Sequence, residues 1–125
     1  MAQSRTIRSR PGGCGDPRVA AVLRQLDGRL HRRFGDDYAR LILFGSRARG
    51  DNALDSDADV AVVFRGPIED RWSRKRAIIG ETYPLLLATG LYIQCWPISE
   101  RDLQEPERAF NPGLLRNILR EGIAA

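Results

Sequence analysis

The chain has 125 residues, which is room for one compact domain with a single hydrophobic core and too little for a second. Its hydrophobic fraction of 42% is ordinary for a globular protein, and no apolar run reaches the ~20 residues of a membrane-crossing helix, so a cytoplasmic protein with no membrane partner is expected. The formal charge of +4 is uneven: residues 1–50 hold eleven arginines against four acids, residues 51–125 nine basic against twelve acidic side chains, which suits an anionic partner near the amino-terminal half.

Two cysteines, Cys14 and Cys95, show neither metal-ligand spacing nor a disulfide framework, and His31 stands alone among Leu30, Arg32 and Arg33. Zinc chemistry and histidine-based catalysis therefore lose most of their support. Residues 1–15 are rich in Arg, Ser and Gly with little to bury, and read as a flexible basic arm in front of a domain over 16–125. The arginines keep nucleic acid open as a partner, although no aromatic platform accompanies them.

Asp16 followed by Pro17 reads as a helix cap and first-turn proline. Val19, Leu23, Leu26, Leu30 and Phe34 then recur at three- and four-residue steps, predicting an amphipathic helix that ends near Gly35. Ala39 to Phe44 and Asp59 to Phe64 are short apolar runs expected to be buried strands. Glu69 to Thr89 has helical composition, with Gly80 and Pro84 arguing for a kink or break. Leu91 to Trp96 is a third strand, stopped by Pro97; Ser99 with Asp102 resembles a capping box, and Asn111-Pro112 opens a last helix that Gly122 closes.

The polar segment Gly45 to Ser56 carries the chemistry. A Gly-Ser pair leaving a buried strand lets backbone approach a ligand closely, and a helix starting there would turn N–H groups toward an anion such as phosphate, with the Ser46 hydroxyl as a further donor. Asp57 and Asp59, two apart at a strand start, leave the same face with Cα atoms about 7 Å apart, a spacing that suits shared hard cations. Asp55, Asp57 and Asp59 do not make a calcium loop, since Val60 and Gly66 stand where Gly and Glu are required. Gly45 and Gly50 have Walker-type spacing, but Asp51 and Asn52 replace the Lys and the Ser or Thr.

Gly45-Ser46, ten intervening residues and then Asp57-Ala58-Asp59 resemble the signature of the nucleotidyltransferase superfamily related to DNA polymerase beta. The wording Phe44-Gly45-Ser46-Arg47-Ala48-Arg49-Gly50 and the tail from Leu115 to Gly122 are similar to the small stand-alone members called minimal nucleotidyltransferases. That resemblance implies an α/β (α+β) fold with a small mixed sheet flanked by helices. It also implies a nucleoside triphosphate, ATP or a related one, held by Gly45 and Ser46 with added charge from Arg47 and Arg49. Asp57 and Asp59 would then be the catalytic residues and the ligands of one or two magnesium ions. Members carry a third carboxylate on the strand corresponding to Leu91–Trp96, where this chain offers Gln94; Glu81 on the preceding helix is the substitute within reach of the sequence. An amide cannot serve as a base. Two outcomes stay open: transfer of a nucleoside monophosphate to an acceptor hydroxyl, or nucleotide binding without transfer in an antitoxin-like partner of a helical HEPN-type protein.

Overall fold

The computed structural model describes residues 16–50 and 57–125. The arm expected over 1–15, Cys14 and residues 51–56 with Asp55 lie outside the described residues.

Helix α1 (Pro17–Phe34) starts where expected: the Asp16 carboxylate accepts from the Arg18 N–H at 2.9 Å, and Pro17 fills the first turn. Val19, Val22, Leu23, Leu26 and Leu30 form its buried face, and Gly35 at φ 61° ends it. Strand β1 (Tyr38–Phe44) leads into the one-turn helix α2 (Ser46–Arg49), and strand β2 (Ala58–Phe64) returns antiparallel to β1. Helix α3 (Arg71–Thr89), capped by Asp70, crosses over to strand β3 (Ile93–Ser99), which runs parallel to β2. Helix α4 (Glu100–Gln104) opens on the capping box of Ser99 and Asp102. Helix α5 (Pro112–Glu121), capped by Asn111, feeds a two-residue strand β4 (Ile123–Ala124) antiparallel to β1.

The sheet order is β3-β2-β1-β4. Alternation along the strands splits the core in two. Leu41, Leu43, Val60, Val62 and Phe64 pack under α1 and α3, whereas Ile42, Phe44, Ala61, Val63 and Ile98 pack under α4 and α5. Asp59, two residues before Ala61, is therefore on the α5 face.

Three local expectations differ from the structure. Helix α3 is not broken at Gly80 or Pro84, both of which are exposed, so the hydrogen bond that Pro84 cannot donate is lost at the helix surface. Strand β3 runs past Pro97 to Ser99, since it lies at the sheet edge, where a missing N–H breaks no ladder. The expected order also lacked α2 and β4.

Candidate functional site

The site lies at the end of the sheet where β1 stops and β2 and β3 begin. Register places Phe44 opposite Asp59 and Asp59 opposite Gln94. The next residue after Phe44, Gly45, has φ 76° and ψ −157°, a region essentially confined to glycine. A Cβ at Gly45 would lie 3.2 Å from Asp59 Cγ and 3.3 Å from its Cβ, and closer still to its Oδ2. The backbone of the turn and the Asp59 carboxylate are thus in direct contact, the convergence that a shared cation and polyphosphate would need.

Past that contact the chain makes the single turn of α2. The Gly45 carbonyl accepts from the N–H groups of Ala48 and Arg49, each at 3.1 Å, and Gly50 at φ 86° closes the turn. Ser46 is half-buried at its first position. Arg47 and Arg49 separate. Arg47 is buried, with its guanidinium 3.5 Å from the Asp16 carboxylate at the start of α1. Arg49 is exposed and lies 3.0 Å from Glu121 Oε2, close enough to Asp59 to pull its pKa downward.

Glu121, the last residue of α5, is the member that sequence reasoning missed. Its Oε1 accepts from the Gly45 N–H at 3.2 Å while Oε2 pairs with Arg49, and its side chain is only 14% exposed. One signal was available: a glutamate in the last turn of a helix opposes the macrodipole, which suggests a task elsewhere.

The Asp59 carboxyl has its pKa pushed above the ordinary 3.8, first by burial and then by the charge of Asp57, with Glu121 adding to the rise and Arg49 opposing it. Asp57 is exposed immediately ahead of β2. Gln94 is half-buried, and the pleat puts it on the same face as Asp59. Glu81 is not at this site: it pairs with Arg29 at 3.1 Å between α3 and α1, on the other side of the sheet. Cys95 is buried and its thiol is pushed up to about 12, which removes it as a nucleophile.

A divalent cation fits this donor set. Asp59 is crowded by like charge that a cation would relieve, and the lack of a Cβ at Gly45 is what lets its carboxylate lie against the turn. Among the described residues no three Asp, Glu, His or Cys side chains form a metal cage. Magnesium is commonly held by one or two carboxylates and completed by substrate phosphates, and such a shell asks no more of the protein than Asp57 and Asp59.

The family model for a nucleotidyltransferase domain matches residues 23–124, which spans the turn, both aspartates and Glu121. The fold is similar to the crystal structure of a candidate nucleotidyltransferase from Sulfolobus solfataricus, with a TM-score of 0.54 and 17% identity over 88% of this chain and 86% of that one. No curated protein sequence matches the chain.

Proposed function

The chain belongs to the nucleotidyltransferase domain family, and on that premise we propose that it binds a nucleoside triphosphate as its magnesium complex at the junction of Gly45, Ser46, Asp57 and Asp59. The observation that supports this reading is the contact between the Gly45 backbone and the Asp59 carboxylate, since a turn that would receive phosphate and a group that would receive its cation need to be neighbours. Ser46 supplies a hydroxyl to the phosphates. Arg49 adds positive charge on the same side, and Arg47, held at Asp16, anchors α2 to the start of α1. Asp57 and Asp59 hold the metal, which when bound neutralises phosphate charge and polarises the phosphoryl oxygens.

Transfer on this scaffold would have an acceptor hydroxyl oxygen attack the α-phosphorus, with loss of the hydroxyl proton and release of pyrophosphate. Asp59 serves in this step as a ligand of the metal rather than as a base, because a bound cation lowers a carboxylate's basicity, and the proton passes to solvent. Gln94 contributes no negative charge at the neighbouring register position, so the site holds its cation with less charge and binding outlasts transfer. The test is calorimetric titration of ATP with and without magnesium on the native protein, Asp57→Ala and Asp59→Asn. Magnesium-dependent binding that both substitutions weaken supports the site. Equal binding by all three proteins, or none by the native one, ends the proposal. Label transfer to candidate acceptors then separates an enzyme from a nucleotide-binding relative.

A second reading has an observation of its own. Trp72, Ile79, Tyr83 and Leu87 are exposed along one side of α3, an apolar stripe of the kind that marks a protein interface. With Gln94 beside Asp59, it favours a nucleotide-binding subunit that works on a helical HEPN-type partner. A neighbouring protein that co-purifies stoichiometrically from the host, and is lost with Leu87→Glu, supports it; a native protein that purifies alone does not.

A further inference from the structure

A helix of four residues cannot hold its own shape, because nucleation fixes several residues for one hydrogen bond, so α2 must be held by something outside it. Its two ends converge on one carboxylate. The Gly45 N–H, at the amino-terminal cap, donates to Glu121 Oε1 at 3.2 Å, and the Arg49 guanidinium, at the last helical position, lies 3.0 Å from Glu121 Oε2. Both contacts are charge-assisted, and the Glu121 side chain is only 14% exposed although Arg49 is 45% exposed. Arg120 adds a weaker pairing to the same oxygen at 3.5 Å.

The backbone that carries this carboxylate is itself immobilised. The Gly122 N–H returns to the Ile118 carbonyl at 2.8 Å, and a Cβ at Gly122 would come within 2.7 Å of Ile42 Cγ2, so the end of α5 is pressed onto β1. Pairing of Leu43 with Ile123 and Ile42 with Ala124, and the Ala125 N–H to the Leu41 carbonyl at 3.2 Å, fasten β4 and Ala125 along β1. The arrangement carries an electrostatic cost, because Glu121 sits at a helix carboxyl terminus and adds to the like charge around Asp59. A group kept there against that cost has a task that stability alone does not explain.

We propose that Glu121 is a positioning residue, whose carboxylate clips both ends of α2 and so sets the Gly45-Ser46 turn and the Arg49 guanidinium against Asp59. The proposal deepens the nucleotide-binding reading and rests on it for the effect on affinity, but not for the effect on α2. The test uses the full chain with Glu121→Ala and Glu121→Gln; the glutamine keeps an acceptor for the Gly45 N–H and gives up the ion pair. In the ligand-free protein, Glu121→Ala shifts the Gly45 amide resonance and speeds hydrogen exchange at residues 45–49 about tenfold, and Glu121→Gln restores part of both. Affinity for ATP with magnesium falls by about tenfold in the alanine variant and by less in the glutamine variant.

Native-like exchange at residues 45–49 in the alanine variant, or in the glutamine variant if alanine fails to fold, together with no shift of the Gly45 amide, overturns the proposal. Unchanged or tighter ATP binding by a folded Glu121→Ala protein also overturns it, since the carboxylate would then be irrelevant to phosphate or competing with it. A native protein that binds no ATP while exchange responds as described removes the nucleotide reading and leaves the clip standing.

Discussion

Gly45 holds a backbone conformation closed to side chains, and the volume that a Cβ would claim is already filled by Asp59. Gly45→Ala should therefore lose about 1–3 kcal/mol of stability from backbone strain, read as a lower denaturant midpoint, and should lose magnesium-ATP binding as Asp59 is pushed aside. A variant with native stability and native binding would mean that the contact carries neither load. Asp59 leads to a prediction of opposite sign. Its folded pKa is raised, so the folded chain keeps the proton at pH values where the unfolded chain has released it, and stability falls as pH rises from about the ordinary 3.8 through the raised value. Without metal, Asp59→Asn should be more stable than the native protein at neutral pH, by about 1 kcal/mol or less once solvent screening at this partly exposed group is allowed for. The gain should vanish below the ordinary carboxylate range. Thermal unfolding across pH checks it, and a variant less stable at pH 7 than at pH 3 relative to native would reverse the sign. Magnesium and ATP should then stabilise the native chain and not the variant, the trade of stability for binding that functional sites commonly show.

Elements whose signals are local were legible in the residues alone: the Asp16-Pro17 start of α1, the Ser99–Asp102 box of α4 and the Asn111-Pro112 start of α5 each depend on neighbours within a turn. What escaped depends on partners distant in sequence. Strand β4 is two residues long and exists only because β1 offers an edge, and α2 is a single turn held from α5. The passage of β3 through Pro97 depends on its place at the edge, which no window of sequence reveals. That edge is managed by α3. The Arg71 guanidinium bonds the Pro97 carbonyl and stacks 3.6 Å from the Phe110 ring centroid, tying the start of α3 to β3 and to the loop before α5. Arg71→Ala should cost about 1–2 kcal/mol, and Arg71→Lys should recover little of it, because an ammonium reproduces neither the planar stacking nor the fork of donors. Denaturant unfolding of both variants decides the matter; full recovery by lysine would reduce Arg71 to a point charge.

Across the whole molecule, the motif spacing named Gly45, Ser46, Asp57 and Asp59, but the contact of Gly45 with Asp59 is a product of strand register, and Glu121 joins it from 76 residues beyond Gly45. No pattern in a single sequence carries that contact. The same limit applies to α3, where helical composition alone treats Leu85, Leu86 and Leu87 alike. The structure separates them: Leu85 is 4% exposed and faces the core, whereas Leu87 is 69% exposed and continues the stripe of Trp72, Ile79 and Tyr83. Leu85→Ala should cost about 2–4 kcal/mol, the range for a truncated core leucine. Leu87→Glu should stay within about 0.5 kcal/mol of native, since its side chain is already in water, and should leave magnesium-ATP binding intact because the site lies on the opposite face of the sheet. Retention on a hydrophobic-interaction column should nevertheless fall in Leu87→Glu and not in Leu85→Ala that remains folded. A Leu87→Glu protein that unfolds would place this residue inside a packed structure and dissolve the distinction between the face of α3 that builds the domain and the face that meets something else.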